Sequence, residues 1–231
     1  MGHSEIEGDD TTTTILITGS TGNIGSEIIK QLSATTSDLN LKAAVRSGDA
    51  NISISKNSSG EQKDKRRVQQ MVMDFNRPET IMEGLKNVDK LVVLTPTHHK
   101  MVEFTSNLVN GAKKAKGKGV KNIVKLSHVR ADAHEPEITI TSLHRQAEKV
   151  EESGIPYTFL RPNFFMQNFI NFYAQMIKNE DSLSLSAGDG KVSFIDVRDI
   201  ASVATRVLTE DNDKYKGKAY TITGPESLTY A

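Results

Sequence analysis

Short apolar runs alternate with helix-periodic stretches along most of the chain. The first run, residues 14–18, is β-branched and continuous, which is typical of a strand buried on both faces of a parallel sheet. Further runs of this kind occupy residues 41–45, 68–73, 90–94, 122–126, 157–160 and 219–222. Helical spacing of apolar residues is clearest over residues 78–85 and 101–115. The alternation predicts an α/β fold, a doubly wound parallel sheet built by right-handed crossovers.

Two polar segments interrupt this pattern. Residues 1–13 are acidic and polar and predict a disordered tail ahead of the first strand. Residues 47–67 are rich in Ser, Asn, Gly and Lys and lie where a crossover helix is expected, so we predict a flexible insertion. We assign the remainder, residues 14–231, to a single domain, because this length is sufficient for one substantial core.

The composition excludes several classes of site. Lys and Arg number 29 against 29 Asp and Glu, so no basic surface for nucleic acid is indicated. The one basic cluster, residues 113–125, is interpreted as a solvated helix end and turn. The absence of Cys excludes disulfides, thiolate metal sites and thiol nucleophiles. The adjacent His98 and His99 lack a carboxylate that could complete a metal site, and we predict no metal.

The hydropathy pattern bears on localisation. No apolar run approaches the roughly 18 residues that a membrane helix needs. The N-terminal residues have no apolar core of the kind that a secretory signal carries. We therefore expect a cytoplasmic protein with no membrane partner, and the nucleus is the alternative compartment.

Three glycines follow the first predicted strand in the sequence ITGSTGNIG. Gly19, Gly22 and Gly25 would allow a tight turn, close approach of the backbone to a pyrophosphate, and close packing of helix on strand. The helix beginning near Asn23 would direct its free N–H groups at phosphate. We therefore predict a Rossmann-like dinucleotide-binding turn, and the alternative is a tight turn without a ligand. The predicted cofactor-binding residues are Gly19, Ser20, Thr21, Gly22, Asn23, Ile24 and Gly25.

The end of the second predicted strand bears on the choice of cofactor. An NAD-binding protein would carry Asp or Glu here to bind the ribose 2′-hydroxyl, whereas this chain carries Arg46. A guanidinium suits a 2′-phosphate because it offers bidentate hydrogen bonds to an anion. The sequence thus favours NADP(H) over NAD(H). Two alternatives stay open: Asp49 could turn towards a ribose, and Arg46 could be a solvated charge at the strand end.

The chain from residue 15 onward resembles the NmrA-like family of atypical short-chain dehydrogenases/reductases. The resemblance rests on the segments ILITGSTGNIG, MDFNRPETIMEGLKNVDKLVVLTP, GVKNIVKLSHVRAD and SGIPYTFLRPNFFMQN, in this order. It implies an NAD(P)-binding domain. Members of the family are NAD(P)H-dependent oxidoreductases, including quinone reductases, or regulators that sense the NADPH/NADP ratio.

The resemblance also implies roles for residues that follow the third and fourth strands. Asp74 and Phe75 match the pair that brackets the adenine ring, with the carboxylate accepting from the exocyclic amine. Thr95 and Pro96, with Thr97, match the loop that lies along the nicotinamide ribose.

Further residues are matched after the fifth and sixth strands. Lys125 and Ser127, with His128, belong to the part of the site near the nicotinamide. Asn163 and Phe164 begin the segment 163–166, which resembles a loop that closes over cofactor and substrate. At the spacing of the aromatic residues here, at least half of them are expected to be core.

Catalytic residues are harder to place. A typical short-chain dehydrogenase uses a Tyr-x-x-x-Lys pair as its acid, but the matching stretch, residues 142–154, contains no Tyr. His144 stands near the position of that Tyr, with Lys149 five residues later, and its pKa range suits proton donation. The alternative is a surface or packing histidine. Ser127 matches the serine that orients substrate, and its alternative role is a hydroxyl that caps the strand end.

The sequence leaves two functions open, and with them whether the protein is an enzyme. Because the usual acid is absent, our first expectation is a redox sensor that responds to the NADPH/NADP ratio and binds a regulatory protein partner. The alternative is an NAD(P)H-dependent oxidoreductase that reduces a quinone or a small carbonyl acceptor. The resemblance implies further helices after residue 231, so we also expect a reduced or missing C-terminal substrate subdomain.

Overall fold

The structure is a computed structural model that describes residues 12–35, 38–48, 68–115, 119–133, 139–210 and 213–230. Strands in these ranges form one sheet in the order β3-β2-β1-β4-β5-β6-β7, and every neighbouring pair is parallel. This is the doubly wound sheet that the sequence predicts. The strands are β1 (Thr13–Ile17), β2 (Leu39–Val45), β3 (Val68–Val72), β4 (Lys90–Val93), β5 (Asn122–Leu126), β6 (Tyr157–Pro162) and β7 (Lys218–Ile222).

Helices cover both faces of the sheet. α1 and α6 pack against each other on one face, while α2, α3 and α4 form a continuous layer on the other. The described helices are α1 (Asn23–Thr35), α2 (Pro78–Gly84), α3 (Met101–Lys114), α4 (Thr139–Ala147), α5 (Ala174–Glu180) and α6 (Val197–Thr209). None of them is long and apolar enough to cross a membrane.

Strand β1 shows how the apolar runs build two cores. Ile15, Leu16 and Ile17 are fully buried, and successive side chains point to opposite faces of a strand. Ile15 and Ile17 belong to the cluster under α1 and α6, whereas Leu16 belongs to the cluster under α2 and α3. A strand with a helix layer on each face must be apolar at every position, which is why the run is continuous rather than alternating.

The structure differs from two predictions and leaves a third untested. The tail was predicted to reach residue 13, but Thr13 already pairs with Leu39 in β1, and residues 1–11 lie outside the described residues. Of the predicted insertion 47–67, only Ser47 and Gly48 are described. The helical stretch predicted over 142–154 is α4 followed directly by a 3₁₀ helix, Glu148–Ser153. The loop after β6 also contains a π-helical turn, Phe169–Tyr173, which the sequence did not indicate.

Candidate cofactor and substrate site

The carboxyl ends of the strands carry the candidate site. Because all strands run in the same direction, the loops that follow them meet at one edge of the sheet, where ligands bind in open α/β sheets. The predicted residues in these loops come from six different strands. They are Gly19 to Gly25 after β1, Arg46 after β2, Asp74 and Phe75 after β3, Thr95 and Pro96 after β4, Ser127 after β5, and Asn163 and Phe164 after β6.

The glycine turn after β1 is closed so tightly that side chains are excluded. Gly19 has a φ of +59° and its carbonyl accepts from Gly22 N at 3.0 Å. A Cβ on Gly25 would overlap the carbonyl oxygen of Gly19 and lie 2.8 Å from its carbonyl carbon. The turn therefore needs glycine at both positions, and it leaves the N-terminus of the 13-residue helix α1 close to the strand end.

The other residues of the turn differ in what they can offer a ligand. The Ser20 hydroxyl is buried and donates to the Ala44 carbonyl at 2.6 Å, which fixes the turn onto β2. The Ile24 side chain is buried in the core, so only its backbone can face a cofactor. The Thr21 and Asn23 side chains are exposed, so they are open to a ligand at the turn.

The ends of β2 and β3 place opposite charges near each other. Arg46 is exposed, and its charge acts on the Asp74 carboxyl. Asp74 Oδ1 accepts from Asn76 N at 2.9 Å and from its side-chain amide at 3.1 Å. These two hydrogen bonds, helped by the charges of Arg77 and Arg46, hold the pKa of the Asp74 carboxyl below its usual value. The edge thus presents a guanidinium and a fixed carboxylate whose charges attract each other.

An aromatic wall continues the edge next to this pair. Phe75 is half-buried, and its ring centroid lies 5.6 Å from that of Phe104 in α3. The Phe75 carbonyl accepts from the Asn107 side chain at 2.9 Å, which fixes this loop against α3. Phe104 also stacks on His98, with ring centroids 6.0 Å apart. At the end of β4, the buried Thr95 hydroxyl has no hydrogen-bond partner.

Strand β5 brings a charged residue into the core below the edge. Lys125 is fully buried, and its ammonium donates to the Leu126 carbonyl at 2.8 Å. Burial lowers its pKa to about 8, partly offset by the charge of Glu148. The predicted solvated character of the basic cluster 113–125 is therefore wrong at this residue. Two positions further on, the Ser127 hydroxyl is buried without a hydrogen-bond partner, so the strand-capping role is not observed.

Helix α4 places His144 over this part of the sheet. Its side chain is 7% exposed and Nδ1 is buried without a hydrogen-bond partner. Burial, then the charges of Lys125 and His128, lower the pKa of His144 to about 3. The histidine is therefore neutral at physiological pH. Lys149, the partner considered from sequence spacing, lies exposed in the 3₁₀ helix, and the buried lysine whose charge acts on His144 is Lys125.

His128 is fixed next to His144. The two rings are stacked with their centroids 5.8 Å apart. His128 Nδ1 lies 2.8 Å from the Val129 carbonyl and 3.2 Å from the Thr141 hydroxyl. Because a carbonyl oxygen can only accept, this geometry assigns the Nδ1 proton to His128 when the ring is neutral.

A buried ion pair lies next to these residues and was missed by the sequence reasoning. Arg161 in β6 donates to both carboxylate oxygens of Glu148, at 2.9 and 2.8 Å, and to Asp132 at 2.7 Å. Glu148 and Arg161 are both buried. The available signal was a charged residue inside the apolar run of β6, because such a residue needs a buried partner.

The loop after β6 presents aromatic surface at the same edge. Asn163 Oδ1 accepts from Phe164 N at 2.9 Å, which shapes the start of the loop. Residues 164–166 and Phe169 are half-buried or exposed, so the expectation that at least half of these side chains are core is wrong. An aromatic cluster with ring centroids 5.2 to 6.2 Å apart consists of Phe164, Phe169, Phe194 and Tyr230.

Metal-binding side chains are not grouped in the part of the chain that the structure describes. Those residues contain no set of three or more His, Cys, Asp or Glu that could hold a metal ion. The adjacent His98 and His99 rings lie 3.9 Å apart on the surface before α3.

The chain is similar in sequence and in structure to several known reductases. An NAD(P)H azoreductase from Xenophilus azovorans is 37% identical over 217 residues, which are 94% of this chain and 70% of that protein. The Citrobacter sp. triphenylmethane reductase complexed with NADP(H) superposes with a TM-score of 0.76 at 26% identity, covering 94% of this chain and 72% of that one. The Escherichia coli NADPH-dependent quinone oxidoreductase complexed with NADPH superposes with a TM-score of 0.77 at 26% identity. The match covers 93% of this chain and 71% of that one.

A family model also matches the sequence over the full extent of the described sheet. The model for the NmrA-like family matches residues 11–230, a range that contains every described strand. The resemblance inferred from the sequence motifs is thereby confirmed. The chain belongs to the NmrA-like family.

Proposed function

We propose that the protein is an NADP(H)-dependent oxidoreductase that reduces a quinone, an azo compound or a similar conjugated acceptor. The observation that carries the proposal is the glycine turn, closed so that a Cβ on Gly25 would overlap Gly19, at the same sheet edge as the unpartnered Ser127 hydroxyl. The reductases to which the chain is similar support this function over sensing. When bound, NADP(H) supplies the hydride for the reduction.

The described residues fit such a cofactor along the edge. The backbone amides of the turn and the N-terminus of α1 suit its diphosphate. The exposed Arg46 suits the 2′-phosphate, and Asp74 and Phe75 suit the adenine. The Thr95 hydroxyl, buried without a partner at the end of β4, suits a ribose hydroxyl, because buried polar groups are rarely left unpaired.

The acceptor would be held between β5 and the loop after β6. Ser127 and His144 offer it hydrogen bonds, since each has a buried polar atom without a partner. His144 is neutral above about pH 4, so it orients the acceptor as a hydrogen-bonding group, and water delivers the proton. The aromatic cluster that includes Phe164 and Phe169 offers apolar surface to a planar acceptor.

Redox sensing stays a prediction. It was our first expectation because the Tyr-x-x-x-Lys pair is absent, and it requires a protein partner that distinguishes the bound from the free state. The similar proteins with reductase names favour turnover instead. Both functions require NADP(H) binding, and only the oxidoreductase turns over an acceptor. An assay that measures turnover as well as binding therefore distinguishes them.

The test measures NADPH and NADH oxidation with a panel of quinones and azo dyes, alongside calorimetric titration of each nucleotide. We expect turnover with NADPH, and a kcat roughly 10- to 100-fold lower in Ser127→Ala with unchanged NADPH affinity. Ser33→Ala is the matched control, because its hydroxyl is also buried without a partner but lies in α1, near its C-terminal end. Tight NADPH binding without turnover at high enzyme concentration would contradict catalysis and favour sensing.

A further inference from the structure

We propose that His128 is a catalytic residue, which passes a proton from its Nε2 atom to the acceptor during reduction. The proposal rests on the proposed reductase function and deepens it, because it names the group through which the proton from water reaches the acceptor. The tautomer that it requires can be measured without any substrate.

The backbone of His128 is fixed at the edge of the sheet, directly after β5. Ser127 N donates to the Leu160 carbonyl at 2.7 Å. Val129 N donates to the Pro162 carbonyl at 3.1 Å. His128 is therefore held between two attachments to β6, next along the chain to Ser127, whose buried hydroxyl has no partner.

The ring of His128 is fixed by three further contacts. Nδ1 lies 2.8 Å from the Val129 carbonyl and 3.2 Å from the hydroxyl of the buried Thr141 in α4. His144, about one turn further along α4, stacks its ring on that of His128 with the centroids 5.8 Å apart. A ring held in this way is oriented before any ligand binds, which favours a reaction that needs a defined geometry.

These contacts determine which ring nitrogen exchanges a proton. Because the Val129 carbonyl can only accept, Nδ1 carries the proton of the neutral His128 ring and keeps it when the ring is protonated. Nε2 makes no hydrogen bond to any of the described residues. The second proton of the ring is therefore gained and lost at Nε2.

The stacked His144 is a poorer proton donor than His128. Its side chain is 7% exposed, and burial is the first cause that lowers its pKa to about 3. It therefore carries no second proton at physiological pH. His128 is only half-buried, so water can reach its ring and restore a proton that has been given up.

The charged groups near the His128 ring do not hold its Nε2 proton. Arg130 is exposed two residues further along the chain, and Lys125 is buried in β5. Asp132 is 64% exposed and paired with Arg161. No carboxylate of the described residues is hydrogen-bonded to the ring, so none of them competes with an acceptor for the proton.

The proposed step is a proton transfer that completes hydride reduction. A quinone takes up a hydride, which NADPH supplies, and becomes a hydroquinone monoanion, leaving NADP⁺. The N–H bond at Nε2 of the protonated His128 breaks, and an O–H bond forms at the anionic oxygen. The neutral ring then regains a proton from water.

Two substitutions of His128 separate this role from a structural one. His128→Asn can place an amide N–H where Nδ1 lies, so it keeps the contacts with Val129 and Thr141 but has no counterpart of Nε2. His128→Ala removes the whole ring. Thr141→Val removes the hydroxyl that helps to orient the ring. Its matched control is Thr205→Val, because Thr205 is also buried in a helix but lies in α6, on the other face of the sheet.

The decisive experiment measures kcat with NADPH and a quinone, with and without added imidazole. We expect kcat to fall about 100-fold in His128→Asn and in His128→Ala. It should fall roughly 2- to 10-fold in Thr141→Val, the equivalent of one hydrogen bond, and stay unchanged in Thr205→Val. Imidazole should raise the kcat of His128→Ala but not that of Ser127→Ala, where the missing group is a hydroxyl. A normal kcat in His128→Asn would mean that the ring only shapes the loop, and it overturns the proposal.

Nitrogen NMR of the full chain tests the tautomer directly, with the ring signals assigned from His128→Asn. We expect the proton of the neutral ring on Nδ1, and a neutral ring protonated at Nε2 overturns the proposal even where turnover is found. Absence of turnover in the unmodified protein would refute the proposed function and the catalytic role with it. Turnover that neither His128 variant slows would refute only the role of His128. If His128→Ala does not fold, His128→Asn and Thr141→Val decide.

Discussion

At the scale of single residues, buried polar atoms without partners mark the working edge of the sheet. Seven such side-chain atoms occur among the described residues. Thr95 and Ser127 carry two of them just after β4 and β5, and His144 in α4 carries a third. Buried polar groups are nearly always hydrogen-bonded, so each of these unpaired atoms calls for a physical explanation. A bound cofactor and acceptor would supply the missing partners here. The sequence named these residues only through the resemblance to a family, because an orphan atom is defined by its surroundings.

Arg46 carries the prediction of cofactor choice. Arg46→Ala should weaken NADP(H) binding by roughly 10- to 100-fold and leave NAD(H) binding nearly unchanged, because only the phosphorylated ribose gives a guanidinium a charge-assisted hydrogen bond. Calorimetric titration of the four nucleotides measures this selectivity. Arg206→Ala is the control, since Arg206 is an exposed arginine paired with Glu210 at the end of α6. Equal losses for both cofactors would mean that Arg46 is only a solvated charge at the strand end.

At the scale of elements, the unit β1–turn–α1 is stabilised by neighbouring strands as well as by its glycines. The Thr18 hydroxyl donates to the Leu94 carbonyl at 3.0 Å and accepts from Leu94 N at 2.7 Å, which links the turn to the end of β4. Ser20 links it to β2 in the same way. The start of α1 is thus held in place from both sides, so its amides are preorganised for an anion.

Substitution of Gly25 tests whether the β1–turn–α1 unit depends on close packing of the helix against the turn. In Gly25→Ala the added methyl would overlap the Gly19 carbonyl, so α1 has to move away from β1. We expect a loss of about 1 to 3 kcal/mol in the free energy of unfolding and a loss of nucleotide binding. Urea unfolding and calorimetry measure the two effects. Gly48→Ala is the comparison for stability, because a Cβ there meets no atom within 4 Å. Unchanged binding in Gly25→Ala would contradict the cofactor role of the turn.

The bounds of the strands and helices show how far the hydrophobic periodicity of the sequence could predict them. The predicted strands coincide with the observed ones to within two residues. The agreement has a clear cause in the central strands β1, β4 and β5, which are apolar runs buried on both faces. The edge strands β3 and β7 are largely exposed. The change from α4 to a 3₁₀ helix at Glu148 was not predicted, since both helix types place apolar residues at similar spacing. The π-helical turn after β6 was missed for the same reason.

At the scale of the whole molecule, one of the two helix layers contains a buried charge network. Lys125, Glu148 and Arg161 lie on the side of α3 and α4, whereas the side of α1 and α6 is packed by apolar residues. A buried cation costs stability whenever it remains protonated. The layer that serves the site is therefore the one in which stability depends on pH.

The pH dependence of stability follows from Lys125. Its pKa is about 8 in the folded chain and 10.5 in the unfolded one, so between these values the unfolded chain holds more protons and stability rises with pH. Relative to Lys125→Met, the unmodified protein should gain about 3 kcal/mol between pH 8 and 10.5, and lose that gain as the pH falls back towards 8. Urea unfolding at a series of pH values measures the difference. Lys149→Met should show no such trend, and a flat difference for Lys125→Met would mean that Lys125 is not buried as a cation.

The sequence by itself determined the sheet, the glycine turn and the position of Arg46 at a strand end. These features depend on local periodicity or on the backbone freedom of glycine, and both can be read over a few neighbouring residues. Only the tertiary structure decided that Lys125 rather than Lys149 acts on His144, and that Arg161 pairs with Glu148. Lys125, His144 and Arg161 come from β5, α4 and β6, and crossover packing sets which of their faces meet. Spacing along the chain could suggest a partner for His144, but burial and register selected it.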